Sequence, residues 1–147
     1  MGYNGLKKSW IFPGQASQFV GMGKDLFDNT DIGKKYYNLA NDILEVDIQD
    51  ISFNGPEEKL KITKYTQPAI FIVSSVISHL LIENGHVPGC VAGHSLGEYS
   101  ALTAAGGISF ETGLELVKIR SNSMDKAGIT NPGTMAAIIG LNMDSVV

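Results

Sequence analysis

The sequence predicts an α/β domain, with short strands alternating with longer helices. Short apolar runs stopped by glycine or proline alternate with longer stretches of helical period. The pentapeptide Gly93-His94-Ser95-Leu96-Gly97 falls where one such run gives way to a helical stretch. Of the 147 residues, 44% are hydrophobic and 18% charged, a balance that supports a packed core and excludes a disordered chain. The formal net charge is −4 and no basic stripe appears, which argues against phosphate-backbone binding to nucleic acid. The densest cationic stretch, Lys59, Lys61 and Lys64, lies beside Glu57 and Glu58. No purely apolar run is longer than Ala69 to Val73, far below the roughly 20 residues that span a bilayer, so no membrane association is expected. A single cysteine, Cys90, excludes an internal disulfide framework and a cysteine-based metal cage. Lys7 and Lys8 are followed by no apolar signal segment, and the expected location is cytoplasmic.

Taken in chain order, Ser9-Trp10-Ile11-Phe12 reads as a strand ended by Pro13-Gly14. The stretch Pro13 to Gly23 reads as a loop holding three glycines. Asp31 is positioned to cap a helix carrying Tyr36, Tyr37, Leu39, Ala40, Ile43 and Leu44. Gly55-Pro56-Glu57-Glu58 suggests a turn into a further short helix. Thr66 or Gln67 is the predicted cap of a long helix with Pro68 in its first turn, where the missing N–H has no partner to lose. That helix runs to Asn84-Gly85 and is apolar over much of its circumference, so it belongs at the centre. Val87 to Gly93 reads as a strand, with Cys90 as a small buried hydrophobe. Leu96 to Ala105 reads as a helix, and Ser109 or Thr112 starts another that reaches Ala127-Gly128. Thr134 to Gly140 reads as a new strand, and Asn142 or Asp144 as the cap of a helix of which only three or so residues follow. The expectation is a piece of a longer protein, with residues 1–128 in one subdomain and 129–147 opening another. The methionines, Met22 and Met124 among them, read as core fillers.

The chemistry concentrates at Ser95. A strand-to-helix turn as tight as Gly93–Gly97 strains the serine backbone, projects its hydroxyl outward and needs flanking glycines for close backbone approach. The helix that follows presents unpaired N–H groups, and the Leu96 N–H after the serine is aimed at a reacting carbonyl. The bland alternative is a serine that only caps a helix. Arg120, the only arginine beside ten lysines, lies on a predicted helix with Leu116, Val117 and Met124 three or four positions away. A permanently charged planar fork on an apolar face suits a carboxylate held by two hydrogen bonds. A structural ion pair with some Asp or Glu fits the same pattern, and the spacing alone does not choose. His79 reads as a helix-edge residue and His86 as a surface turn residue. His94 directly precedes the serine, where adjacent side chains diverge, so it suits lining a substrate pocket better than acting as a base. Glu98, in the first helical turn, complements the helix dipole.

Four motifs occur in order: Phe12-Pro13-Gly14-Gln15-Ala16-Ser17-Gln18, Thr66-Gln67-Pro68-Ala69, Gly93-His94-Ser95-Leu96-Gly97-Glu98-Tyr99 and Gly133-Thr134-Met135-Ala136-Ala137. Together they resemble the N-terminal half of the acyltransferase family that includes malonyl-CoA:acyl carrier protein transacylases. The resemblance covers essentially everything after residue 9. It implies an α/β-hydrolase-like large subdomain with a short parallel sheet, followed by the truncated start of a ferredoxin-like small subdomain. It implies that Ser95 takes a malonyl group from malonyl-CoA and passes it to the phosphopantetheine thiol of acyl carrier protein, in fatty-acid biosynthesis. Malonyl-CoA is then a substrate, and neither a cofactor nor a metal is implied. The resemblance also implies an oxyanion hole from the backbone N–H groups of Gln15 and Leu96, and a clamp on the malonyl carboxylate from Arg120. Because Gln15 would act through its backbone, Gln15→Ala is expected to be milder than a change that moves the loop. Ala16 stands where the family often has glycine, which stiffens the loop. The family's base is a histidine further downstream, so little transferase turnover is expected of residues 1–147 alone. A monomer is expected for the full-length protein. A serine esterase or thioesterase, and a non-catalytic binding fragment, are the alternatives.

Overall fold

The computed structural model describes residues 8–133 and 138–145. Two strands, β1 (Ser9–Phe12) and β2 (Cys90–Gly93), pair in parallel with Phe12 opposite Gly93. Parallel pairing needs a long crossover, and here five helices supply it: α1 (Lys24–Asn29), α2 (Asp31–Leu44), α3 (Ile48–Asn54), α4 (Glu57–Leu60) and α5 (Thr63–Glu83). After β2 come α6 (Gly97–Ala104) and α7 (Phe110–Thr130), and a short 3-10 turn over Met143–Ser145 follows Asn142. The predicted α/β class is therefore observed, with a short parallel sheet.

The core lies between α2, α3, α5 and α7 and packs aromatic rings among aliphatic side chains such as Ile48, Ile51, Ile72 and Leu114. Tyr36 stacks on Phe110 with centroids 3.9 Å apart, and Phe71 stacks on Phe110 from the other helix. Tyr37, Phe27 and Phe53 meet edge to face beside them. On α2 the buried positions are Gly33, Tyr37 and Ala40, one stripe of helical period. Among the described residues, α5 is the one helix long and apolar enough to cross a membrane, but 61% of its most apolar window is buried inside the fold. It is the core helix that its composition predicted.

Several local expectations need correction. Thr30, not Asp31, caps α2: its hydroxyl accepts from the Gly33 N–H at 3.0 Å, leaving Asp31 free to oppose the helix dipole from the first turn. Helix α5 begins at Thr63, a turn before the predicted cap, so Pro68 lies inside it. The early start is secured by Thr66, whose buried hydroxyl donates back to the carbonyls of Leu60 and Ile62. At the other end Gly85 adopts φ 78°, with Gly85 N–H bonded to Ile82 O and His86 N–H to Leu81 O. This paired pattern at Asn84-Gly85 ends the helix where the sequence placed its end. Helices α1 and α3 were not predicted. Helix α7 starts on the expected Ser109 cap and continues to Thr130, beyond the expected Gly128. Of the strand predicted over Thr134–Gly140, residues 134–137 lie outside the described residues, as does most of the Gly133–Ala137 motif, and 138–140 carry no strand. Cys90 is exposed, because the two-stranded sheet leaves that side of β2 uncovered.

Candidate active site

Parallel pairing in register brings the C-terminal ends of β1 and β2 side by side, the place where open α/β sheets bind ligands. The loop carrying Gln15 leaves one strand end and the turn carrying Ser95 leaves the other. His94 N–H donates to Phe12 O at 3.0 Å and Gly97 N–H returns to His94 O at 2.9 Å, so residues 93–97 reverse sharply on top of β1. Ser95 sits at φ 54°, the left-handed region that a non-glycine residue occupies only under strain. The turn admits no side chain on either flank. A Cβ on Gly93 would lie 2.1 Å from the Glu98 nitrogen, and one on Gly97 would lie 2.2 Å from Phe12 O. The strained turn anticipated from the pentapeptide is present, and Ser95 is exposed. Neither the Leu96 N–H nor the Gln15 N–H donates a hydrogen bond among the described residues; Gln15 is exposed, whereas Leu96 is fully buried.

Arg120 reaches this turn from the middle of α7. Its Nη2 donates to Ser95 Oγ at 2.8 Å, its Nη1 donates to Gln67 Oε1 at 2.6 Å, and its guanidinium lies 5.9 Å from the Tyr99 ring centroid. Gln67 is fully buried on α5 and passes the chain of bonds onward. Its Nε2 donates to Gln15 Oε1 at 3.3 Å and lies 3.3 Å from Met124 Sδ, while Gln15 Nε2 donates to Thr63 Oγ1 at 3.3 Å. The ion-pair alternative for Arg120 is decided by geometry: no Asp or Glu among the described residues forms a salt bridge with it, and all fifteen acidic side chains are described. A half-buried cation held only by neutral groups, 2.8 Å from an exposed serine hydroxyl, is an open place for an anionic ligand group.

The family model described as "Acyl transferase domain" matches residues 9–145. The chain belongs to that family. It is 46% identical over 134 residues to the malonyl CoA-acyl carrier protein transacylase of Synechocystis sp., covering 91% of this chain and 44% of that one. To the enzyme of the same name from Bacillus subtilis it is 39% identical over 140 residues, again 44% of the relative. The crystal structure of the Synechocystis malonyl-CoA:ACP transacylase superposes with a TM-score of 0.80 at 48% identity, over 83% of this chain and 41% of the other. A malonyl-transacylase in complex with a holo type II polyketide synthase acyl-carrier protein superposes with a TM-score of 0.77 at 40% identity, over 82% and 40%. The chain thus spans a little under half the length of the relatives it matches.

At this candidate site one residue is not marked by its sequence position and others sit differently from expectation. Gln67 was read as a helix cap, whereas it is a buried amide between Gln15 and Arg120. The one signal for it was an amide inside an otherwise apolar helix. Met124, read as a core filler, lines the partly exposed edge of the same cluster, its sulfur against Gln67. Ala16, at the position where the resemblance favours glycine, has φ 83°, so it is strained as well as stiff. His94 is exposed at the turn, with its Nδ1 packed so closely over Gly14 that a Cβ there would approach it to 2.8 Å. His79 is engaged on the far side of α5 by Tyr36 Oη and Glu83, and His86 is exposed in the turn after α5. The hydrogen bond to Ser95 Oγ among the described residues comes from Arg120, which cannot accept a proton.

Proposed function

We propose that this chain is the nucleophile- and donor-binding half of a malonyl-CoA:acyl carrier protein transacylase acting in cytoplasmic fatty-acid biosynthesis. The observation that carries the reading is the Arg120 fork, without a carboxylate partner among the described residues and 2.8 Å from Ser95 Oγ. A malonyl thioester matches that arrangement, since its free carboxylate lies two bonds from the carbonyl carbon that the hydroxyl attacks. In this reading Ser95 Oγ adds to the thioester carbonyl and its proton passes to a base. The Leu96 and Gln15 N–H groups hold the developing oxyanion, the C–S bond breaks, and coenzyme A leaves as its thiol. The carrier's pantetheine thiol then attacks the serine ester, and Ser95 recovers its proton as the thioester forms. His94 lines the acyl pocket. The base is a histidine from the part of the relatives' length that this chain does not span. Residues 1–128 belong, in the same reading, to an α/β-hydrolase-like large subdomain, and 129–147 open a ferredoxin-like small one. The full-length protein is proposed to be monomeric, with malonyl-CoA and acyl carrier protein as its partners and no resident cofactor or metal.

The test joins residues 1–147 to the remaining length of the Synechocystis relative in one polypeptide and follows the acyl group by mass spectrometry. Malonyl-CoA should add one malonyl group at Ser95, and holo carrier protein should remove it to its own thiol. Acylation that persists in Ser95→Ala contradicts the reading. A serine ester that decays into water without reaching the carrier makes the protein an esterase instead.

A further inference from the structure

We infer that Gln67 is a positioning residue that fixes the Arg120 fork and ties it, through the Gln15 side chain, to the loop bearing one oxyanion donor. This deepens the donor-binding reading above and rests on it. A guanidinium on a long side chain loses rotamer freedom when it binds a carboxylate, and that cost falls if the fork is held beforehand. Here it is held. Gln67 Oε1 takes one end of the fork at 2.6 Å, and Ser95 Oγ takes the other at 2.8 Å.

The amide type matters. At position 67 a carboxylate would pair with Arg120 and neutralise it, and an aliphatic residue would leave it loose. A neutral acceptor orients the cation while leaving its charge available. Gln67 can play this part because it is itself fixed: it is fully buried in α5, and its Nε2 is occupied by Gln15 Oε1 and Met124 Sδ. Gln15 in turn is anchored to Thr63 at the start of α5. The Gln15 side chain therefore has work of its own, and the expectation that Gln15→Ala is mild because Gln15 acts through its backbone is revised. A move of the Gln15 loop is transmitted to Arg120 through two side-chain hydrogen bonds.

Arg120 is the only arginine in the chain, so its side-chain N–H signals are identifiable in a nitrogen-15 NMR spectrum. The experiment titrates the 147-residue chain, and its Gln67→Leu, Gln67→Glu and Gln15→Ala variants, with malonyl-CoA and acetyl-CoA. In the unmodified chain the fork should give separate, slowly exchanging Nη signals that shift with malonyl-CoA and not with acetyl-CoA. In Gln67→Leu those signals should collapse to an average, and malonyl-CoA should bind about tenfold more weakly, the loss of one charge-assisted hydrogen bond. In Gln67→Glu the fork should stay ordered while malonyl-CoA affinity still falls. Gln15→Ala, a change at an exposed residue, should loosen the fork and weaken malonyl-CoA binding in the same direction, which tests the inference even if the buried variants do not fold. An ordered fork with malonyl-CoA affinity within twofold of the unmodified chain, in folded Gln67→Leu and in Gln15→Ala, overturns the inference. If the unmodified chain does not distinguish malonyl-CoA from acetyl-CoA, the donor-binding reading fails instead, and the state of the fork in the variants still decides the role of Gln67.

Discussion

At Ser95, Gly93 and Gly97 the pentapeptide could be read directly, because the constraint is local. A left-handed serine between two residues with no room for a Cβ is a property of five consecutive positions, and sequence spacing records it. Arg120 was half legible. Its isolation among lysines and its apolar helix neighbours marked it, but its partners lie 25 and 53 positions away, and no local pattern encodes them. Ala16 is a residue-scale strain that the family comparison hinted at. At φ 83° an alanine pays a steric cost that glycine avoids. Ala16→Gly should therefore stabilise the chain by about 1 kcal/mol, the reverse of the usual effect of introducing glycine, and urea unfolding will show it as a higher midpoint with unchanged slope. An unchanged or lower midpoint would mean that the loop pays no such cost.

Among elements, those with a long hydrophobic period were found; of the short ones α4 was marked by the Gly55-Pro56 turn before it, and α1 and α3 were missed. Helix α1 has six residues, none of them buried, and α3 has seven, so neither repeats an apolar stripe often enough to be recognised. Helices α5 and α7 are long and were found. Their mutual packing decides the site, because α5 carries Gln67 and α7 carries Arg120. Gly113 sets how closely they approach: a Cβ there would come within 2.6 Å of Phe71 Cζ, a ring already fixed against Phe110. Gly113→Val should push the helices apart and destabilise the chain by roughly 1–3 kcal/mol. The loss will be visible as a lowered thermal midpoint, and the Arg120 to Gln67 bond should loosen with it. A midpoint equal to that of the unmodified chain would show that Phe71 yields freely.

The whole molecule combines a mixed aromatic and aliphatic core with an open sheet. Burial pushes the Tyr37 phenol well above its ordinary range, and burial together with Glu111 and Glu83 raises Tyr36 in the same direction. A folded state that keeps a phenol proton the unfolded chain gives up near pH 10 is fully favoured below that pH and loses stability above it. The stability difference between the unmodified chain and Tyr37→Phe, about 1 kcal/mol near neutrality from the hydrogen bond to Met22 O, should shrink as pH rises beyond about 10. Denaturant midpoints across that range check it, and a constant difference would contradict the burial argument. The open side of the sheet leaves Ile11 79% exposed, and beside β1 the residues Ile11, Trp10, Phe12, Met22, Ile70 and Val73 line a cavity of about 640 Å³. Parallel sheets are normally covered on both faces. The buried-strand expectation for Cys90 assumed that covering, and it failed because coverage is a property of the assembled molecule.

The central claim is that Ser95 and Arg120 together read a thioester bearing its own carboxylate. Its most direct test is the rate of Ser95 acylation by malonyl-CoA relative to acetyl-CoA, measured before and after Arg120→Ala in the polypeptide completed with the Synechocystis remainder. The account expects a strong malonyl preference that collapses in the variant, through loss of malonyl transfer and a relative gain with acetyl-CoA. The same preference in both proteins would contradict it.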